Sequence, residues 1–176
     1  MPPDPTPNKP GDNAATSGRD QRRSADRDDN ASAPLELRLT RRFTASAERL
    51  WRAWTDPQAL MQWFGPTGTQ RVLQADTDVR VGGAYEVGFV TEDGQAHYAS
   101  GVYQEVEPQR RLVFTWAWRD TPDETSLITL EFTPAQGGTE LAFLQTPFVD
   151  QPTRDGHEAG WAGAMDRLAD HLASAV

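Results

Sequence analysis

The side chains that could carry out chemistry are few in this chain and lie far apart. His157 and His171, two of the three histidines, stand fourteen residues apart on one predicted helix, almost four turns, so they cannot share a metal ion. The chain has no cysteine, and its only lysine, Lys9, precedes the predicted domain, which excludes thiol and Schiff-base chemistry there. Neither a G-x-S-x-G elbow nor an H-E-x-x-H motif occurs. We therefore expect no metal, no cofactor and no catalytic group that a motif would reveal.

The aromatic residues are more informative than the titratable ones. All six tryptophans lie inside the predicted domain, and apolar walls with few polar groups are typical of small-molecule pockets. His97 shares strand parity with Gly101 and Tyr103, and Gly101 would let a ligand come close to the backbone. We expect Leu168 and Leu172 to serve packing only. We expect the pocket to be lined by Trp54, Trp63, Phe64, Tyr85, His97, Tyr103, Trp116, Trp118, Phe148, Trp161 and Met165.

Composition limits the classes of partner. The chain has 176 residues, a formal net charge of −9 and a pI near 4.7. These values argue against nucleic acid and against an anionic membrane surface as partners. No apolar run reaches the roughly 18 residues needed to span a bilayer. The first 30 residues lack the apolar core of a secretion signal, so we expect a cytoplasmic protein.

The N-terminal segment differs in composition from the rest of the chain. It contains prolines, glycines and a mixture of Asp and Arg, and no aromatic or large aliphatic residue after Met1. Such a segment cannot bury enough apolar surface to offset its ordering entropy. We expect a disordered, low-complexity tail over residues 1–33 and one folded domain over residues 34–176.

The folded domain is expected to begin with a half-buried strand. Leu35, Leu37, Leu39 and Phe43 alternate with polar residues, the period of a strand with one buried face. Arg41 falls on the apolar side of this alternation, and a buried arginine needs a partner. It indicates either a structural ion pair, the interpretation that we favour, or a ligand anchor.

Two short helices are expected after this strand. Ser46 is placed to cap the first helix. Asp56 followed by Pro57 is placed to start the second, because the missing N–H of proline is harmless in the first helical position. Gly65 and Pro66 end the second helix.

Residues 69–146 carry the pattern of an antiparallel meander. Turn-forming residues separate six segments in which apolar and polar residues alternate, so one face of the sheet is expected to meet water. The expected strands are Gln70–Ala75, Ala84–Val90, His97–Val106, Leu112–Trp118, Ser126–Thr133 and Thr139–Gln145.

The last stretch, Thr153 to Val176, predicts a long amphipathic helix with an apolar stripe at steps of three and four. Asp155, with Glu158 three residues later, is typical of a helix N-terminus. Gly160 and Gly163 each cost a helix interior about 1 kcal/mol relative to alanine. Their presence indicates that this part of the helix backbone is bare for a reason, either close packing or room for a guest.

Four local motifs accompany this order of elements: RRFTASAERLWRAWTDPQALMQWFGP, DVRVGGAYEV, SGVYQEVEPQRRLVFTWAW and HEAGWAGAMDRLADHL. Together they resemble the START-like (SRPBCC) superfamily, in the branch related to the C-terminal domain of the heat-shock-protein-90 ATPase activator, from about Leu35 to Val176. The resemblance implies an α+β helix-grip fold, in which a six- to seven-stranded curved antiparallel sheet surrounds a long C-terminal helix and two short helices follow the first strand. It also implies a cavity near the two short helices that holds apolar or aromatic small molecules.

Three functions are compatible with this resemblance. The one that we favour is non-catalytic binding of a hydrophobic or aromatic small molecule by a carrier, sensor or sequestration protein. The second is a cyclase- or aromatase-type enzyme in which Arg41, His97 or Tyr103 positions and protonates a substrate. The third is contact with a chaperone, whose ATPase it would modulate, or with another protein partner, through the acidic surface. The sequence leaves open whether the chain forms a homodimer.

Overall fold

The computed structural model of the chain describes residues 32–174. The segment expected to be a disordered tail therefore lies almost entirely outside the described residues. In chain order the elements are β1 (Leu35–Phe43), α1 (Ala47–Thr55), α2 (Pro57–Trp63), β2 (Thr69–Thr77), β3 (Ala84–Thr91), β4 (Ala96–Glu107), β5 (Arg111–Trp118), β6 (Ser126–Ala135), β7 (Gly138–Phe148) and α3 (Gln151–Ser174).

Within the described residues, seven strands form one antiparallel sheet in the order β1-β7-β6-β5-β4-β3-β2. Strands β2 to β7 follow one another as a meander, and β1 closes the other edge by pairing with β7. The register shifts within the β2–β3 and β4–β5 pairs, and such bulges increase twist and help a sheet to curve. The α+β helix-grip fold inferred from the sequence is confirmed, and each predicted strand is contained in an observed one.

The two short helices begin where the sequence places them. The Ser46 hydroxyl accepts a hydrogen bond from the Arg49 amide at 3.2 Å and caps α1. The Asp56 carboxylate accepts one from the Gln58 amide at 2.9 Å and caps α2, with Pro57 in the first helical turn. The two helices form the connection between β1 and β2.

The N-terminus of helix α3 differs from the prediction. Asp150 precedes the helix, and its carboxylate accepts a hydrogen bond from the amide of Thr153 at 2.8 Å. The prediction that Asp155 caps the helix is wrong. Asp155 lies inside the first turns, where its carboxylate and that of Glu158 both bind the guanidinium of Arg154.

Helix α3 packs into the concave side of the sheet and forms one core with it. It contacts β1, β7 and both short helices. Leu168 and Leu172 are buried in this core, as expected for packing residues. Arg41 is half-buried on β1, and its guanidinium lies 2.5 Å from a carboxylate oxygen of Asp166 on α3. Asp166 is therefore the partner in the structural ion pair that we predicted for Arg41.

Candidate functional site

A cavity of about 280 Å³ lies between the first half of α3 and strands β3 to β5. We call it the main cavity. Its wall is almost entirely apolar and aromatic; apart from the indole N–H groups of three tryptophans, its side-chain polar groups are one hydroxyl and two imidazoles. The lining residues are Phe64, Gly65, Pro66, Phe89, Thr91, His97, Trp116, Trp118, Gly156, His157, Gly160, Trp161 and Ala164.

The glycines of α3 explain how the helix leaves this space free. A Cβ atom built on Gly156 or on Gly160 would meet no heavy atom of the described residues within 4 Å. A Cβ on Gly163 would instead come within 2.4 Å of the Thr67 hydroxyl oxygen and 2.6 Å of the Thr67 amide nitrogen. Gly163 therefore allows close packing, the first of the two anticipated reasons for a bare backbone. Gly160 borders the open space of the main cavity.

A buried hydrogen-bond chain fixes the aromatic wall. The Trp161 indole N–H donates to the side-chain oxygen of Gln145 at 2.8 Å, and the Gln145 amide nitrogen donates to the Ser126 hydroxyl at 2.8 Å. Trp161 also packs against the rings of Phe143, at 4.8 Å between centroids, and Trp116, at 5.2 Å. Because its ring is held from several sides, Trp161 is a rigid part of the wall.

His157 and Trp118 form a hydrogen-bonded pair at the edge of the main cavity. The His157 Nδ1 atom lies 2.9 Å from the carbonyl oxygen of Thr153, which can only accept, so Nδ1 carries the proton. Nε2 lies 3.1 Å from the indole nitrogen of Trp118, which can only donate, so Nε2 accepts. Both contacts suit a neutral imidazole. Burial of the ring lowers the pKa of His157, while the carboxylate of Glu124 acts in the opposite direction.

A second cavity, of about 260 Å³, lies on the other side of this pair. We call it the acidic cavity, because Asp123 and Glu124 of the β5–β6 loop line it. Trp116, Trp118 and His157 line both cavities, so they form the partition between them. The other residues around the acidic cavity are Thr125, Ser126, Pro147, Phe148, Val149 and Thr153.

A third space, of about 20 Å³, lies deeper in the core. We call it the inner cavity; it has room for about one water molecule. Tyr85 and Tyr103 line it, the Tyr85 hydroxyl donates to the carbonyl of Thr115 at 2.6 Å, and burial raises the pKa of both phenols. The buried indole N–H groups of Trp54 and Trp116, which also line it, have no hydrogen-bond partner among the described residues.

The residues expected to line one pocket are distributed over these three spaces. Trp63 and Met165 line none of the three: Trp63 is fully buried with its N–H donated to the carbonyl of Ala53 at 2.9 Å, and Met165 lies in the core. The remaining nine are placed as follows: Phe64, His97, Trp116, Trp118 and Trp161 line the main cavity, Trp54, Tyr85 and Tyr103 the inner cavity, and Phe148 the acidic cavity.

Two residues with a suggested polar or ligand role lie elsewhere. Arg41 lines none of the three cavities, whereas His97 lines the main cavity and Tyr103 the inner cavity. The three groups named for a cyclase-type reaction therefore do not share one cavity. A Cβ on Gly101 would lie 1.8 Å from the carbonyl oxygen of Thr115, so this glycine is required by a close approach of strands. The expectation that Gly101 admits a ligand is therefore wrong.

Sequence reasoning missed several residues of the main cavity. Phe89 shares strand parity with Tyr85 and could have been found by that alternation. His157 lies four residues before Trp161, which was predicted, on the same helix face and could have been found by that spacing. Thr91 has the same strand parity as Phe89, but it follows Val90, where the predicted strand ended.

The described part of the chain contains no group of three or more His, Asp or Glu side chains arranged to hold a metal ion. Within the same residues, no helix is both long and apolar enough to cross a bilayer.

The family comparison matches nearly all of the folded part of the chain. The family model described as "Activator of Hsp90 ATPase homolog 1-like protein" matches residues 44–173. A search of curated proteins finds no match.

Solved structures with the same fold come from several sources. The AHSA1 protein from Silicibacter pomeroyi is 32% identical with a TM-score of 0.70, and the match covers 79% of this chain and 98% of that one. A protein from Chromobacterium violaceum is 30% identical with a TM-score of 0.66 and the same two coverages, 79% and 98%. DynU16, a protein of the dynemicin biosynthetic locus, shares the fold at 22% identity and a TM-score of 0.66, over 79% of this chain and 47% of that one.

Proposed function

This chain belongs to the Activator of Hsp90 ATPase homolog 1-like family, and on that premise we propose that it binds a hydrophobic, aromatic small molecule in the main cavity without transforming it. Such a protein would serve as a carrier, a sensor or a sequestration protein. The fold class and the family are compatible with this role, since a curved sheet around a helix encloses an internal space.

The observation that carries the proposal is the bare face of α3 opposite an aromatic wall. Gly156 and Gly160 line the cavity, and a Cβ atom at either position would meet no heavy atom of the described residues within 4 Å. Each glycine in a helix interior costs about 1 kcal/mol relative to alanine, and a chain selected for packing alone gains nothing from an unfilled space beside Trp161. The volume of about 280 Å³ is close to the lower end of the range for small-molecule sites, roughly 300 Å³.

The wall suits a flat apolar ligand. Phe64, Phe89, Trp116 and Trp161 present aromatic rings to the cavity. Rings of a ligand would pack against them with offset or edge-to-face geometry, which contributes about 0.5–1.5 kcal/mol per pair beyond the area buried. The hydroxyl and imidazole groups in the wall would orient a polar substituent.

Binding can be tested with N-phenyl-1-naphthylamine, a neutral aromatic probe whose fluorescence rises in apolar surroundings. The decisive variant is Gly160→Leu, which places a side chain in the cavity from a position with free space around its Cβ. The matched control is Ala162→Leu, which adds a similar side chain to the exposed face of the same helix.

We expect saturable binding to the parent protein and to Ala162→Leu, and at least tenfold weaker binding to Gly160→Leu. Unfolding experiments should find Gly160→Leu no less stable than the parent, because a glycine leaves the helix interior. Equal probe affinity in all three proteins, or no saturable binding to the parent, would contradict the proposal.

A further inference from the structure

We infer that the main cavity and the acidic cavity are two halves of one elongated site, which takes an amphipathic amine with an aromatic ring at one end and an ammonium group at the other. This inference rests on the proposed function and specifies the chemical class of the ligand. The aromatic ring would occupy the main cavity, and the ammonium group would lie beside Asp123 and Glu124.

The shared partition makes the two cavities direct neighbours. Trp116, Trp118 and His157 line both of them, so a molecule that leaves the main cavity past these side chains enters the acidic cavity directly. The partition is held by the hydrogen bond from the Trp118 indole to His157 Nε2. Displacing the half-buried Trp118 ring would break this hydrogen bond and disturb its ring contacts with Phe89, His97 and Trp116, which the contacts of a bound ligand would have to replace.

The acidic cavity combines the two features that favour an organic cation. The rings of Trp118 and Phe148 line it, and aromatic faces attract ammonium groups. The carboxylates of Asp123 and Glu124 line it as well, and no basic side chain of the described residues forms a salt bridge with either. The adjacent cation, Arg119, is engaged elsewhere, 3.0 Å from Glu86.

The carboxylate of Glu124 lies close enough to the partition to influence it. Its charge acts on the His157 imidazole, where it opposes the effect of burial on the pKa. Glu124 lines the same cavity as Trp118 and Phe148, whose ring centroids lie 5.8 Å and 5.1 Å from that of His157.

Two fluorescent probes that differ only in a terminal ammonium group test the inference. Dansylcadaverine has a naphthalene ring, a sulfonamide and a terminal ammonium group, and N-pentyl dansylamide is the same molecule without the ammonium. At neutral pH and low ionic strength we expect dansylcadaverine to bind about tenfold more tightly, the combined effect of a cation–π contact and partly exposed charge pairs. The preference should decrease as the salt concentration rises.

The matched variants locate the ammonium group. The double variant Asp123→Asn/Glu124→Gln should reduce the preference to about twofold or less. Asp120→Asn, which removes a carboxylate from the same exposed loop but not from the cavity lining, should retain it. Circular dichroism would verify that each variant is folded.

The unfavourable outcomes are distinguishable from one another. Equal affinity for the two probes would overturn the elongated site and leave the proposed function intact. A preference that falls equally in Asp120→Asn and in the double variant would reveal general attraction by an acidic surface and would also overturn the inference. Failure of both probes to bind, while N-phenyl-1-naphthylamine binds, would overturn the inference alone; failure of all three would overturn the proposed function with it.

Discussion

Trp161 is the residue whose replacement separates the packing of the cavity wall from its hydrogen bonding. The ring is 5% exposed, and its N–H donates to Gln145, which is itself fully buried and depends on Trp161 and Ser126 for its partners. Trp161→Phe keeps an aromatic ring and removes the donor, whereas Trp161→Ala removes both. The two variants together measure each contribution.

The structure sets the expected magnitudes. Loss of the N–H leaves a buried amide oxygen without its donor, which should cost about 1–2 kcal/mol of unfolding free energy in Trp161→Phe. Truncation of a buried tryptophan costs about 3–5 kcal/mol, and Trp161 belongs in the lower half of that packing range because one side of its ring borders a cavity. With the lost hydrogen bond added, we expect about 4–6 kcal/mol for Trp161→Ala.

Urea unfolding followed by far-ultraviolet circular dichroism provides the assay, since it does not depend on tryptophan emission. The slope of free energy against urea should be the same for both variants and the parent. Titration with N-phenyl-1-naphthylamine should give about tenfold weaker binding to Trp161→Ala. Equal losses of stability in the two variants would refute the reasoning about packing. A large loss of stability with unchanged probe affinity would make Trp161 a core residue only.

The remaining predictions concern α3 and its histidine. Gly160→Ala should raise the unfolding free energy by up to about 1 kcal/mol, because the added Cβ meets free space. Gly163→Ala should lower the unfolding free energy by about 1 kcal/mol or more, because the added Cβ would clash with the backbone of Thr67. Thermal unfolding of both variants distinguishes the two glycines. Burial lowers the pKa of His157 in the folded state, so the unfolded chain binds a proton at this side chain more readily than the folded chain does. The contribution of the neutral His157 to stability is therefore complete above about pH 6.5 and is lost as the pH falls below that value. The urea midpoint should fall more steeply between pH 7.5 and pH 5 in the parent than in His157→Gln. An equal pH dependence of the midpoint in the two proteins would contradict the lowered pKa of His157. Protonation also removes the acceptor of the Trp118 N–H, so indole fluorescence should change over the same pH range.

Local patterns in the sequence located the strands and helices, and the resemblance to the START-like superfamily supplied their arrangement. Alternation located all the strands, and the caps at Ser46 and Asp56 are local signals that depend on neighbours two or three residues away. The start of α3 was misplaced because Asp150 and Asp155 both precede suitable partners at the right spacing. The choice between them depends on where β7 ends, and β7 continues to Phe148, three residues beyond the predicted end.

The cavity was harder to predict because its shape depends on contacts between distant parts of the chain. Trp63 was expected to line the pocket, but its indole N–H donates to the carbonyl of Ala53 in the core. His157 was considered only as a metal ligand, since the carbonyl of Thr153 and the indole of Trp118 that fix its tautomer come together only in the fold. The separation of the main cavity from the acidic cavity by the Trp118–His157 pair likewise has no signal in the sequence.

A crystal structure of the complex with N-phenyl-1-naphthylamine tests the central claim most directly. The account predicts the probe between α3 and the sheet, with its rings against Phe89 and Trp161 and its edge over Gly160. A probe found on the outer surface of the sheet, or a main cavity closed by the protein's own side chains in crystals that contain bound probe elsewhere, would contradict it.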